Sequence, residues 1–247
     1  MALEEIFPDY AALAAQGFPG LACPRRTVMI AFSPRTGSTH LCAALHLAGQ
    51  RAEPGEIFNP RGPARYESGR RQASSFSDYM ASLAAGPDKV FIFKTCWQDA
   101  APLAPALNRL FPDLQVVYLS RRNDAAQAIS AFKAELTGIW HQRLGSEEVT
   151  QVHDGQFSME RLLAIHASQE RERQGWQRWF VAQGIKPLAL QYEEFEQDIN
   201  AGLRKLVQSL GLGLRTEVPG QTGLEKLADQ ISHDWTQRLQ RRLLNLG

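Results

Sequence analysis

The stretch from Thr27 to Gly49 constrains this chain more than any other. Thr27–Phe32 (TVMIAF) is a short apolar run that stops at Ser33-Pro34-Arg35-Thr36-Gly37-Ser38-Thr39, and Ser38–Gly49 then carries a helical pattern. An apolar run bounded by turn residues suits a parallel strand buried on both faces. The same alternation recurs downstream. Lys89–Phe93 reads as a second strand, followed by a helix from Pro102 to Phe111. Gln115–Leu119 (QVVYL) is a third, leading into a helix over Asp124–Gly138. A long helix over Ser158–Gln183 stops at Gly184, Pro187–Gln191 is a fourth strand, and Asp198–Leu210 is another helix. Between the first helix and the second strand, Gln50–Ser75 is rich in Gly, Pro and Arg and reads as a long irregular segment. Strands alternating with helices predict an α/β fold, a parallel sheet flanked by helices on both faces. In such sheets ligands bind beyond the carboxyl ends of the strands.

Composition narrows the possibilities further. A chain of 247 residues buries roughly three quarters of its unfolded surface and needs no staple. It has no internal repeat or long linker, so a single domain over residues 1–247 is expected. Its 27 basic and 26 acidic side chains leave a net charge of +1. There is no bulk field to hold a nucleic acid, and any anion site must be local. Three scattered cysteines, Cys23, Cys42 and Cys96, form no CxxC pair, which disfavours a disulfide framework or a structural zinc. The acidic start lacks a signal-peptide layout, and no apolar run is long enough to span a bilayer. The expectation is a soluble, cytoplasmic protein.

The loop after the first strand places small and hydroxyl residues at a helix N-terminus. Free backbone N–H groups and the helix dipole there attract phosphate or sulfate. Gly37 permits close approach, Arg35 adds charge, and Ser38 and Thr39 add hydroxyl donors. A plain helix cap with a Gly turn explains such a string about equally well. The string is not GxxxxGK[ST], and the third strand has no acidic residue at its end for Mg²⁺. A nucleotide triphosphatase is therefore disfavoured. The third strand ends at Ser120-Arg121-Arg122, with Ser130 eight residues beyond Arg122. An Arg fork and a hydroxyl there could clasp a second anionic group, though a solvated Arg pair is the plainer reading.

The SPRTGST loop followed by a later strand and R-x7-S resembles the 3′-phosphoadenosine 5′-phosphosulfate (PAPS) sulfotransferases. It is most similar to the bacterial trehalose sulfotransferase family and its Nod-factor relatives. GEIF after EP, FKTCWQ, AQAIS, TGIWH, the GWQRWF…QGIKPLALQYEEF block and ADQISHDWTQRL extend the likeness over most of the chain. The resemblance implies a P-loop-type α/β fold, PAPS as donor, 3′-phosphoadenosine 5′-phosphate as product, and no metal. It implies that Ser33, Arg35, Thr36, Gly37, Ser38 and Thr39 hold the 5′-phosphosulfate, and Arg122 and Ser130 the 3′-phosphate. It sets Lys94 near the transferring group, Tyr192 near adenine, and Lys226 as a further basic contact. It makes Glu56 the counterpart of a family carboxylate, and it implies a possible homodimer.

Sulfuryl transfer is an in-line displacement in which the catalyst positions groups and stabilises charge. Arg35 and Lys94 are the candidates for stabilising the leaving oxygen. A hydroxyl acceptor needs a base as attack proceeds, and Glu56 is the candidate. Read without the resemblance, Glu56 is a loop carboxylate paired with Arg61, Arg65 or another local Arg. His141 is second choice as base and a candidate substrate contact; His40 and His46 lie on the first helix. Trp97, Gln98 and Glu53 are candidate contacts for a carbohydrate or glycolipid hydroxyl acceptor, whereas Trp176, Trp179 and Phe180, at helical spacing, suit the core. The basic stretches Arg61–Arg71 and Arg238–Arg242 read as solvated faces. The alternatives are a small-molecule kinase of P-loop architecture and a non-catalytic nucleotide-binding protein. The compressed Glu56–Lys89 interval leaves the acceptor open.

Overall fold

A computed structural model describes residues 2–23, 25–50, 53–85, 89–141, 152–219, 222–223 and 228–245. Its strands are β1 (Thr27–Phe32), β2 (Phe91–Cys96), β3 (Leu114–Ser120) and β4 (Leu188–Gln191). The first helices are α1 (Tyr10–Ala15), α2 (Ser38–Leu47), α3 (Pro63–Arg70) and α4 (Phe76–Ala84). The turns α5 (Trp97–Ala100) and α6 (Leu107–Leu110) follow β2, and α7 (Asp124–Thr137) follows β3. The 24-residue α8 (Met159–Ala182) precedes β4, and α9 (Tyr192–Gln197), α10 (Ile199–Leu210) and α11 (Gln230–Leu244) complete the chain.

The four strands pair in parallel in the order β2-β1-β3-β4. β1 is buried along its whole length, as its apolar run requires. Its side chains alternate between two cores. Met29 and Ala31 face a layer with Phe93, Val116, Trp176, Tyr79 and Phe111. Val28, Ile30 and Phe32 face another with Leu41, Leu45, Val117, Leu203 and Leu206. Helices thus cover both faces of a parallel α/β sheet. A third cluster, centred on Trp235, Phe132 and Leu162, joins α7, α8 and α11.

Several boundaries differ from the sequence reading. Gln50–Ser75 is not wholly irregular: Pro63 opens α3, where its missing N–H costs nothing. The expected helix over Pro102–Phe111 is a set of turns ending in α6; Pro102 and Pro105 deny it two backbone donors. β2 runs on to Cys96, which puts Lys94 inside the strand rather than just past it. Lys94 pairs across to Ile30, on the α2 side of the sheet. The three cysteines are buried and free. No helix among the described residues is long and apolar enough to cross a membrane.

Candidate active site

The carboxyl ends of β1, β2 and β3 open on the loop of residues 33–39. Two of its residues are left-handed, Arg35 at φ 71° and Gly37 at φ 80°. Gly37 is obligatory twice over, because a Cβ there would lie 2.4 Å from the Tyr192 ring. The buried Ser33 and Thr36 build the loop from within: the Thr36 hydroxyl donates to the Ser33 carbonyl at 2.9 Å. Gln127 of α7 pins its start, its amide donating to Ser33 Oγ at 3.1 Å and to the Pro34 carbonyl at 2.7 Å. Trp176 of α8 donates to the Phe32 carbonyl at 3.0 Å. Neither Gln127 nor Trp176 was legible as a loop support, since each reaches the loop only through tertiary packing.

Lys94 is buried, yet its ammonium is engaged at the site. Nζ donates to Thr39 Oγ1 at 2.9 Å and lies 3.3 Å from Glu56 Oε1. The other Glu56 oxygen accepts from Asn59 Nδ2 at 2.7 Å. The carboxylate is therefore not the partner of Arg61, which reaches Asp99 at 3.2 Å. The loop carrying Glu56 is tied to β2, since the Lys94 N–H donates to the Gly55 carbonyl at 3.0 Å.

Arg35 donates through Nε to Ser130 Oγ at 2.9 Å, and it also donates to the Trp140 carbonyl. Burial and the charge of Arg121 pull its pKa below the usual guanidinium value. His141 lies exposed at the rim, but the protein around it and the charges of Lys94 and Arg35 push its pKa down to about 4. It is a neutral imidazole at neutral pH. The described geometry thus gathers Arg35, Thr39, Lys94, Glu56, Ser130 and His141 around one loop.

Other candidates sit differently. Arg122 turns outward, 65% exposed, and pairs with Glu194 at 3.3 Å, so the structure does not place it on Ser130. Arg121 turns inward instead, donating to the Arg35 carbonyl at 3.2 Å with its guanidinium 4.6 Å above the Tyr192 ring. Tyr192 is held between Gly37 and Arg121. Trp97 packs on Gly175 and edge-on to Trp176, while Gln98 and Glu53 are exposed. Trp176, Trp179 and Phe180 lie in the core, as their spacing predicts. His46 is engaged by the Gln50 carbonyl at 2.8 Å, and His40 is set edge-on to Phe195. Lys226 lies outside the described residues. Among the described residues, no group of three or more His, Cys, Asp or Glu could hold a metal.

The Stf0 sulphotransferase family model matches residues 27–242. A trehalose 2-sulfotransferase of Mycolicibacterium smegmatis is 21% identical over 256 residues, covering 86% of this chain and 94% of the relative. A trehalose 2-sulfotransferase of Mycobacterium tuberculosis is 20% identical over 267 residues, covering 90% and 97%. Among solved structures, retinol dehydratase in complex with retinol and PAP superposes with a TM-score of 0.45 at 16% identity, over 95% of this chain and 69% of that one. The chain is a sulfotransferase, a member of the Stf0 sulphotransferase family.

Proposed function

We propose that this enzyme transfers the sulfuryl group of PAPS to a hydroxyl of a carbohydrate, glycolipid or similar small acceptor. The observation that carries the reading is the Thr39–Lys94–Glu56 relay, which joins an anion loop to a carboxylate through one buried ammonium. The loop suits the donor's 5′-phosphosulfate. Its two left-handed residues and the N-terminus of α2 make an anion-binding concavity, with Ser33, Thr36, Gly37 and Ser38 as its backbone.

In the proposed reaction the acceptor oxygen attacks sulfur, the bond from sulfur to the bridging oxygen breaks, and the acceptor proton passes to the Glu56 carboxylate. Lys94 and Arg35 face the negative charge gathering on the departing oxygen, and product 3′-phosphoadenosine 5′-phosphate leaves. Lys94 touches both the anion loop and the base, so it couples departure to proton removal. Asn59 holds the second Glu56 oxygen and aims the first. Ser130 is proposed to hold the 3′-phosphate, and Arg122 would have to leave Glu194 to join it. Tyr192 and Lys226 are proposed at the nucleotide end; Glu53, Trp97, Gln98 and His141 are proposed to face the acceptor. A single domain, a cytoplasmic location and a homodimer remain parts of this reading. Trehalose, named for both relatives, is the first acceptor to try.

The deciding experiment is isothermal titration with 3′-phosphoadenosine 5′-phosphate and, separately, ATP with Mg²⁺. Metal-independent binding of the bisphosphate, tighter than ATP, is the expected result. Preference for ATP–Mg²⁺ overturns the donor assignment in favour of kinase-type chemistry.

A further inference from the structure

Arg121 and Arg122 are adjacent at the end of β3, yet the fold turns them in opposite directions. The backbone N–H groups of Arg122 and Asn123 both donate to the Glu193 carboxylate at 3.0 Å, which staples the end of β3 to the start of α9. That staple presents Tyr192, the residue before Glu193, to Arg121. The Arg121 guanidinium lies 4.6 Å over the ring, and the ring also meets Gly37, close enough to exclude any Cβ. From this plate Arg121 Nη1 donates to the Arg35 carbonyl at 3.2 Å. Its Nε is buried with no partner among the described residues, so that nitrogen's burial is sustained by the stack and not by a hydrogen bond of its own.

Arg35 is the loop residue that most needs holding. A side chain beyond glycine disfavours the left-handed region, and Arg35 sits there at φ 71°. The peptide that follows it is planar and trans, so fixing the Arg35 carbonyl also fixes the opposite direction of the Thr36 N–H. Lysine could supply a charge at this place, but it could not stack flat on Tyr192 and donate sideways at once.

We propose that Arg121 is a positioning residue: clamped on Tyr192, it locks the left-handed turn at Arg35 and so presets the loop for the donor's 5′-phosphate group. This deepens the reading above and rests on it. The test is titration of wild type, Arg121→Gln and Arg121→Lys with two probes, 3′-phosphoadenosine 5′-phosphate and adenosine 3′-phosphate, which lacks the 5′ group. In Arg121→Gln the bisphosphate weakens at least tenfold while adenosine 3′-phosphate stays within twofold of wild type. Arg121→Lys shows the same selective loss to a smaller extent, and it carries the comparison if the Gln variant has no cooperative thermal transition. Bisphosphate affinity within twofold of wild type in both variants overturns the proposal. So does an equal loss for both probes, which would assign Arg121 to the adenosine end or to the fold at large. Failure of the wild type to bind the bisphosphate sinks the donor assignment instead, before any variant is compared.

Discussion

Two groups at the site are candidates for the base, Glu56 and His141, and substitution separates them. A general base contributes on the order of 10²- to 10⁴-fold. Glu56→Gln keeps the shape and the Asn59 contact but cannot accept the acceptor proton. Turnover with PAPS and trehalose is expected to fall by about that factor, with bisphosphate affinity retained; near-normal turnover would falsify Glu56 as base. His141→Ala is expected to raise the acceptor KM with bisphosphate affinity unchanged. An unchanged KM and kcat removes His141 from the site. The His141 pKa of about 4 also has a sign. An ordinary histidine titrates near ~6.5, so the unfolded chain binds this proton first as pH falls. The contribution to stability is full above the unfolded value and is lost as pH drops towards 4, so wild type is expected to lose more Tm than His141→Ala between pH 7 and 5. Arg35 and Thr39 were legible residue by residue, because the hydroxyl-rich loop after β1 carries its chemistry with it, whereas Lys94 and Glu56 were singled out only through the family resemblance. The opposite facings of Arg121 and Arg122 were not legible. They depend on a carboxylate 71 residues away, at Glu193.

α8 acts as a strut beneath the site, and its packing gives two predictions. One turn of it binds the segment after Lys94: Glu172 accepts from the N–H groups of Trp97 at 2.6 Å and Gln98 at 2.9 Å. Gly175, on the same face, receives the Trp97 indole, and a Cβ there would lie 2.3 Å from it. Neither the indole nor the β2–α5 backbone can retreat easily in a close-packed interior. Gly175→Ala is therefore expected to destabilise by about 1–3 kcal/mol, read as a Tm lower by several degrees; an unchanged Tm would show that the indole moves freely. Burial drives the Glu172 pKa up to about 7, against the pull of its two N–H donors. Because the folded form keeps a proton that the unfolded chain releases near ~4.3, its contribution is full below that value and lost as pH rises through 7. The Tm difference between Glu172→Gln and wild type should shift in the variant's favour from pH 5 to pH 8. A difference independent of pH would mean that Glu172 does not titrate there. Element identity followed legibility in the same way. β1, α7 and α8 were plain in the sequence because burial pattern and caps agree. α3 was missed because PARYESGR buries only Ala64 and Ser68. In α11 the signal was present in Trp235 and Leu239, buried four residues apart, but it lies within a run of charged and amide residues.

At the scale of the whole molecule, a net charge of +1 means that anion recognition cannot come from the overall field. It has to come from three strand ends, the loop of residues 33–39 and the few cations set there. Those parts are held by distant elements: Gln127 from α7, Trp176 from α8 and Tyr192 from α9. A ligand that bridges the loop and Ser130 therefore braces β1, β3 and the helices behind them together, and binding should be felt as global stability. Bisphosphate at one hundred times its Kd adds about 2.7 kcal/mol to the folded state, and for a chain of this size each kcal/mol moves Tm by roughly 2–4 °C. The expected outcome is a rise in Tm of about 5–10 °C with 3′-phosphoadenosine 5′-phosphate, unchanged when a metal chelator is present, because the proposed function assigns the positive charge to Arg35 and Lys94. A rise that disappears with chelator would assign part of that charge to a metal ion. A rise that survives in Lys94→Ala at the same ligand excess, with turnover lost, would separate the two duties of Lys94, leaving the donor to the loop and the transfer step to the ammonium.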